Sequence, residues 1–171
     1  MILENHVTEN KDAFLNRVNE ICSVLQVNPD WLMLDMYHES GLDSSAVNNN
    51  GGATGLIQFM PATAASLGTS TSELYNMSNV DQLDYVLLYY KPYAGRIKTA
   101  YDLFLIDFFP AALGKPDDYI FHTSSLSAET IAKANKIFDL DGDGQITMAE
   151  YKQNLLNYFS KYGLDPLKKK I

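Results

Sequence analysis

Two groups of residues in this chain have the types and spacing to do chemistry. One is a single glutamate, Glu39, at the end of the mostly apolar run Asp30-Trp31-Leu32-Met33-Leu34-Asp35-Met36-Tyr37-His38-Glu39-Ser40-Gly41. The other is a run of oxygen donors, Asp139-Leu140-Asp141-Gly142-Asp143-Gly144-Gln145-Ile146-Thr147-Met148-Ala149-Glu150. A carboxyl group desolvated by apolar neighbours disfavours its charged form, so it can keep a proton near neutral pH and serve as a general acid. Asp35, one helical turn before Glu39, would push in the same direction by like charge. Against this stands the ordinary role of a solvated residue at a helix end.

The elements around Glu39 are set by punctuation. Asn28 and Pro29 start a helix, the asparagine capping free N–H groups and the proline occupying the first position, where it loses no bond. Ser40-Gly41 ends it, because glycine tolerates the left-handed conformation of a helix stop. From Leu42 to Gln58 the density of Asn and Gly, followed by a short apolar run, predicts a loop with a small β-hairpin. Glu39 therefore lies where an apolar helix opens into a polar, glycine-rich loop. His38 precedes it on the helix and is expected to point away, in a structural role.

Glu39-Ser40, then Ala46-Val47, then Gly52-Ala53-Thr54-Gly55-Leu56-Ile57-Gln58-Phe59-Met60-Pro61-Ala62-Thr63-Ala64 resembles the signature of the soluble lytic transglycosylase family, which has a lysozyme-like fold. The likeness extends more weakly to about residue 121, as in phage-type members with a related Pro-Ala-Ala-x-Gly-Lys-Pro segment. It implies that Glu39 is the catalytic carboxyl group and that the Gly-x-Gln-x-Met-Pro segment forms part of a glycan-binding cleft. Ser40, Thr54, Gln58 and Met60 are then the candidate substrate-binding residues. Thr54 and Gln58 could meet acetamido or hydroxyl groups of a glycan, with turn-stabilising hydrogen bonds as the competing role. Two departures stand out: Asn48 replaces the usual serine in a turn one residue longer, and Phe109-Pro110-Ala111-Ala112 replaces a Tyr-Asn-Ala-Gly stretch. Phenylalanine cannot donate the tyrosine's hydrogen bond, so another tyrosine substitutes or burial alone tunes Glu39.

The second group fits the EF-hand calcium loop at every diagnostic position. Calcium is a hard cation that takes six to eight oxygens in such loops. Asp139, Asp141 and Asp143 would supply carboxylates, Gln145 its backbone carbonyl, Thr147 a direct or water-mediated contact, and Glu150 two oxygens. Gly144 permits the sharp turn. Ser127 can cap an entering helix with Ile131, Ala134 and Phe138 on one side, and Met148, Tyr151, Leu155 and Tyr158 or Phe159 recur at helical spacing after the loop. Four acids in one loop repel one another without a cation, so one Ca2+ is expected to order and stabilise this unit in a structural role. EF-hands pair through the residue at Ile146, and the partner of this one is left open: the preceding domain, a second chain, or none.

The remaining elements are helical. Thr8 can cap a first helix carrying Phe14, Val18, Ile21 and Leu25. Pro61 opens a short helix closed by Gly68, Ser70-Thr71-Ser72-Glu73 is a capping-box pattern, and a helix from Ser78 or Asn79 carries Leu83, Val86, Leu87 and Tyr90 at core spacing. Another is predicted from about Arg96 to Phe108. Tyr85, Tyr89, Tyr90, Tyr93 and Tyr101 are expected mostly as core residues with a hydroxyl at the rim.

The chain has 171 residues and a net charge of −8, enough for one sizeable core or a domain with a small appendage. The acidic balance and the lack of a basic stripe argue against nucleic acid. The basic run Lys168-Lys169-Lys170 is expected as a solvated tail. Cys22 is the lone cysteine, so no internal disulfide forms, and its place on the first helix's apolar stripe predicts a buried thiol. No apolar run reaches membrane-spanning length, and the first residues lack signal-peptide features.

The expected architecture is mainly α: a lysozyme-like helical domain with a small β-hairpin over residues 1–124, and a helix–loop–helix EF-hand over 125–171. The expected activity is that of a peptidoglycan lytic transglycosylase cleaving the N-acetylmuramic acid to N-acetylglucosamine bond and leaving a 1,6-anhydro end. A muramidase-type lysozyme, with Asp35 or Asp43 as second carboxyl, and a non-catalytic calcium-dependent wall-binding or virion structural protein are the alternatives. Its partners would be glycan strands and calcium, with no nucleic acid and no membrane insertion. It would act at the bacterial cell wall or periplasm, delivered by a phage; the sequence leaves the oligomeric state open.

Overall fold

A computed structural model describes residues 1–168, which are mainly helical. They divide into two compact units, Met1–Ile97 and Lys98–Lys168.

The first unit contains α1 (Lys11–Leu25), α2 (Pro29–Ser40), α3 (Pro61–Ser66), α4 (Thr71–Asn76) and α5 (Asn79–Tyr90). Phe14, Val18, Ile21 and Leu25 are completely buried along α1, which packs on α5 and α2. Helix α1 starts two residues later than a Thr8 cap would place it: Asn10 is the N-cap, in the left-handed conformation at φ 48°. Asn10 Nδ2 donates to Asn79 Oδ1, and Asn79 Nδ2 donates to the Glu9 carbonyl, so this turn is held by the start of α5. Cys22 is buried beside this core, and burial holds its thiol well above the ordinary range.

Helix α2 follows its punctuation. Asn28 Oδ1 accepts from the Asp30 N–H, Pro29 is the first helical residue, and Gly41 closes the helix at φ 70°. From Trp31 to Met36 every side chain is buried. The helix thus runs through the core of its unit and surfaces only in its last turn. The loop that follows carries isolated antiparallel bridges, Val47 to Thr54 and Thr54 to Phe59, instead of the continuous ladder of a hairpin. Left-handed residues at Gly51, Gly52, Gly55 and Gln58 bend the backbone too often for a ladder to extend.

The second unit contains α6 (Ala100–Phe108), α7 (Ala128–Ala134) and α8 (Met148–Lys161). Helix α6 begins at Ala100 and not near Arg96, because Thr99 and Asp102 form a reciprocal capping box that fixes its first turn. Helix α7 is capped by Ser127 as expected but stops at Ala134, so Phe138 does not lie on it. The backbone leaves the helical conformation at Asn135, φ −131° and ψ 46°, where both its amide and its side chain donate to the Ile131 carbonyl. Half-buried Phe138 still joins the aromatic cluster, 4.8 Å from the Phe108 ring and 5.2 Å from Tyr151 between centroids.

Helix α8 buries Met148, Tyr151, Leu155 and Phe159, the predicted stripe. Phe108, Phe121 and Tyr151 complete one aromatic cluster, with Phe108 stacked on Tyr151 at 5.5 Å. Residues 98–124, grouped by the sequence pattern with the preceding helices, lie in this second compact unit. The Thr-Ser-Ser-Leu-Ser stretch is a hydrogen-bonded turn within the unit, Thr123 Oγ1 accepting from the Leu126 and Ser125 amides. Of the basic run, Lys169 and Lys170 lie outside the described residues. Among the described residues no helix is long and apolar enough to cross a membrane.

Candidate active site and metal loop

Glu39 occupies the last turn of α2 with its side chain 26% exposed. That partial burial is a wetter setting than the apolar run foretells. His38 does not point away: its Nδ1 lies 3.2 Å from Glu39 Oε1. Successive helical positions diverge by about 100°. At a helix end, however, no following turn separates two side chains of this length. The hydrogen bond to Glu39 raises the His38 pKa above its ordinary value; burial opposes the shift, and the charges of Glu39 and Asp35 add to it.

Asp35 is fully buried, and its Oδ2 accepts a 2.7 Å hydrogen bond from the Tyr90 hydroxyl on α5. No substrate can reach it. Asp43 is exposed, and its Oδ1 accepts from the Ser45 amide and hydroxyl in the turn after α2. Phe109 stacks on Phe121 in the second unit, at 5.0 Å and 16° between rings.

Ser40 ties helix to loop. Its Oγ lies 3.0 Å from the Met36 carbonyl and 2.9 Å from the Leu56 carbonyl. Thr54 is buried and its hydroxyl donates to the Gly52 carbonyl; Gln58 Nε2 donates to the Gly55 and Ala46 carbonyls. These are the turn-stabilising bonds that compete with a glycan-contacting role. Met60, the residue before α3, is 49% exposed.

The residue pattern gives no prominence to Gln82, which holds this loop. It is completely buried on α5; its Oε1 accepts from the Leu56 amide, and its Nε2 donates to the Ser44 and Leu74 carbonyls. Gly55 packs directly on it. A Cβ at Gly55 would sit 2.5 Å from Gln82 Oε1, and the residue's φ of +84° already favours glycine. The available signal was an amide on the buried stripe of a helix, beside Leu83 and Val86.

In the second unit, carboxylate oxygens of Asp139, Asp141 and Asp143 lie within 4.8 Å of one another. Gly144, at φ 84°, makes the sharp turn after them. Thr147 caps α8 through a reciprocal capping box with Glu150, and Glu150 Oε1 accepts from the Leu140 and Asp141 amides. Burial would raise the Glu150 pKa, but hydrogen bonds from the Thr147 amide and hydroxyl, and from those two loop amides, outweigh it and hold the carboxyl below its usual value. Its carboxylate is thereby turned back into the loop.

Ile146 is completely buried and its backbone is paired within this unit. The Phe121 amide donates to the Ile146 carbonyl, the Met148 amide donates to the Tyr119 carbonyl, and Ile120 bridges to Thr147. The segment Tyr119 to Phe121 thus pairs along the end of this loop.

Residues 18–84 match the model of the Transglycosylase SLT domain family. The matched stretch contains Glu39, Ser40, Thr54, Gln58 and Met60, and it lies within the first unit. No curated protein and no solved structure matches the chain.

Proposed function

We propose that this chain is a peptidoglycan lytic transglycosylase with Glu39 as its general acid and base. Glu39 would protonate the oxygen linking N-acetylmuramic acid to N-acetylglucosamine. As a carboxylate it would then take the proton of the muramoyl C6 hydroxyl as that oxygen closes on C1. The products are a 1,6-anhydro end and a free sugar end, and no water is consumed. The observation that carries this reading is the distribution of carboxyl groups within the SLT-like stretch. Asp35 is sealed in the core and Asp43 is held in its own turn, leaving Glu39 as the one acid at the helix-to-loop junction. Most hydrolytic glycosidases use a pair of carboxyls across the bond; with Asp35 buried and Asp43 engaged in its own turn, a single working acid suits the intramolecular route.

We also propose that the loop 139–150 holds one structural calcium ion. Asp139, Asp141 and Asp143 would give carboxylates, Gln145 a carbonyl, Thr147 a direct or water-mediated contact, and Glu150 both oxygens. The cluster of acid oxygens and the inward-turned Glu150 fit that donor set. Bound calcium would neutralise the loop's charge and fix the start of α8. The setting proposed is a phage-delivered enzyme acting at the bacterial cell wall.

The test is mass spectrometry of digested peptidoglycan. Anhydro-muramoyl ends are expected from the wild type and none from Glu39→Gln. Reducing-end hydrates alone would replace this proposal with a lysozyme, and equal lysis by both proteins would remove Glu39 as the catalyst.

A further inference from the structure

An open surface groove of about 640 Å³ is built wholly from second-unit residues, among them Asp118, Tyr119, Ile120, His122 and Gln145. Its size is that of an ordinary small-ligand site. Four of its polar groups are uncommitted: among the described residues the Asp118 carboxylate, the Tyr119 hydroxyl, the His122 ring nitrogens and the Gln145 side-chain amide make no hydrogen bond. In the pairing of Tyr119 to Phe121 with Ile146 to Met148, Tyr119 lies opposite Met148 and Phe121 opposite Ile146, so His122 and Gln145 are the next residues of the two segments at the Phe121–Ile146 end.

The half-buried Tyr119 ring is flanked by His122, 5.7 Å away at 31°, and by Lys115 Nζ, 5.4 Å from its centroid. Lys115 is exposed and can yield that face to a ring-shaped ligand. Apart from Lys115 beside the Tyr119 ring no lysine or arginine borders the groove, so it lacks the cluster of cations that phosphate groups call for, and a single carboxylate is a weak attractor for a cationic partner. The remaining complement is an aromatic surface, a planar amide, a carboxylate and an imidazole, with Ile120 as apolar wall. That complement suits a neutral ligand rich in hydroxyl and amide groups with flat C–H faces.

We propose that this groove is a binding site for acetylated amino-sugar chains, one that would hold the glycan by the second unit. The choice of sugar class rests on the glycan-cleaving function proposed above. The experiment is an NMR titration of the full chain carrying Glu39→Gln, in calcium-containing buffer, with the tetramer of N-acetylglucosamine as probe. Saturable shifts are expected at Asp118, Tyr119, His122 and Gln145. Tyr119→Ala should weaken their apparent affinity at least tenfold and Gln145→Ala at least threefold. Gln145→Ala keeps the backbone carbonyl proposed for calcium, and an unchanged melting temperature in calcium separates a lost groove contact from a disturbed loop. Shifts confined to residues 18–84, or unchanged affinity in both variants, would overturn the proposal. If the wild type fails to cut peptidoglycan while the groove residues still shift, the cleavage mechanism falls and the binding site stands.

Discussion

The contact between Gly55 and Gln82 can be tested by a double-mutant cycle. In Gly55→Ala the new Cβ would lie 2.5 Å from Gln82 Oε1 and 3.0 Å from its Cδ and Nε2. Two costs follow. The left-handed backbone costs a residue with a Cβ about 1–2 kcal/mol. Pushing the amide aside breaks one of its bonds to the buried Leu56, Ser44 and Leu74 groups, at about 1–3 kcal/mol. The single variant should therefore lose about 2–5 kcal/mol. Gln82→Ala orphans the same partners and leaves a cavity, for about 3–5 kcal/mol. In the double variant the Cβ meets no amide, so only the backbone term adds to the Gln82 loss. The two losses should fall short of additivity by about 1–3 kcal/mol. Urea unfolding followed by the fluorescence of Trp31, the chain's only tryptophan and fully buried in the same unit, reads this directly. A coupling below about 0.5 kcal/mol, the scatter expected of independent sites, would show that the glycine does not bear on the amide.

Three further outcomes are expected. Tyr90→Phe removes the donor to the buried Asp35 and should cost about 1–3 kcal/mol in the same urea assay; an unchanged midpoint would mean that the bond contributes nothing net. The His38–Glu39 pair raises the imidazole pKa, so its stabilisation is complete below about pH 6.5 and is lost as the pH rises through the raised folded value. Unfolding free energies at low and high pH should then differ more for the wild type than for Glu39→Gln, and equal pH dependence in the two would contradict the pairing. Calcium at 100 times its dissociation constant should stabilise the second unit by about 2.7 kcal/mol. That gain should vanish on chelation and in Asp141→Ala, as read by thermal unfolding, and a melting temperature indifferent to calcium would remove the ion from the account.

Helix α2 was legible because each boundary has a local cause: an Asn cap, a Pro at the first position, a Gly at the stop. The stripes of α1 and α8 were legible for the same kind of reason, since 3.6-residue periodicity is written in the chain. What escaped was non-local or set by the backbone of one residue. Asn79 holds the start of α1 from across the unit, and the backbone turns out of α7 at Asn135, before Phe138. The environment of Glu39 was only half legible. The apolar run gives its helix, but the approach of His38 depends on how two side chains fold at a helix end. Gln82 acts through partners 8, 26 and 38 residues away, a separation no local pattern encodes.

The pairing of Tyr119 to Phe121 with Ile146 to Met148 has a practical consequence for dissecting the chain. A cut after residue 124 would leave each fragment with a bare peptide edge and half of an aromatic cluster, the combination that makes fragments clump. Pieces meant to be handled separately should be divided ahead of Lys98, where the acid loop keeps the stretch that zips against it.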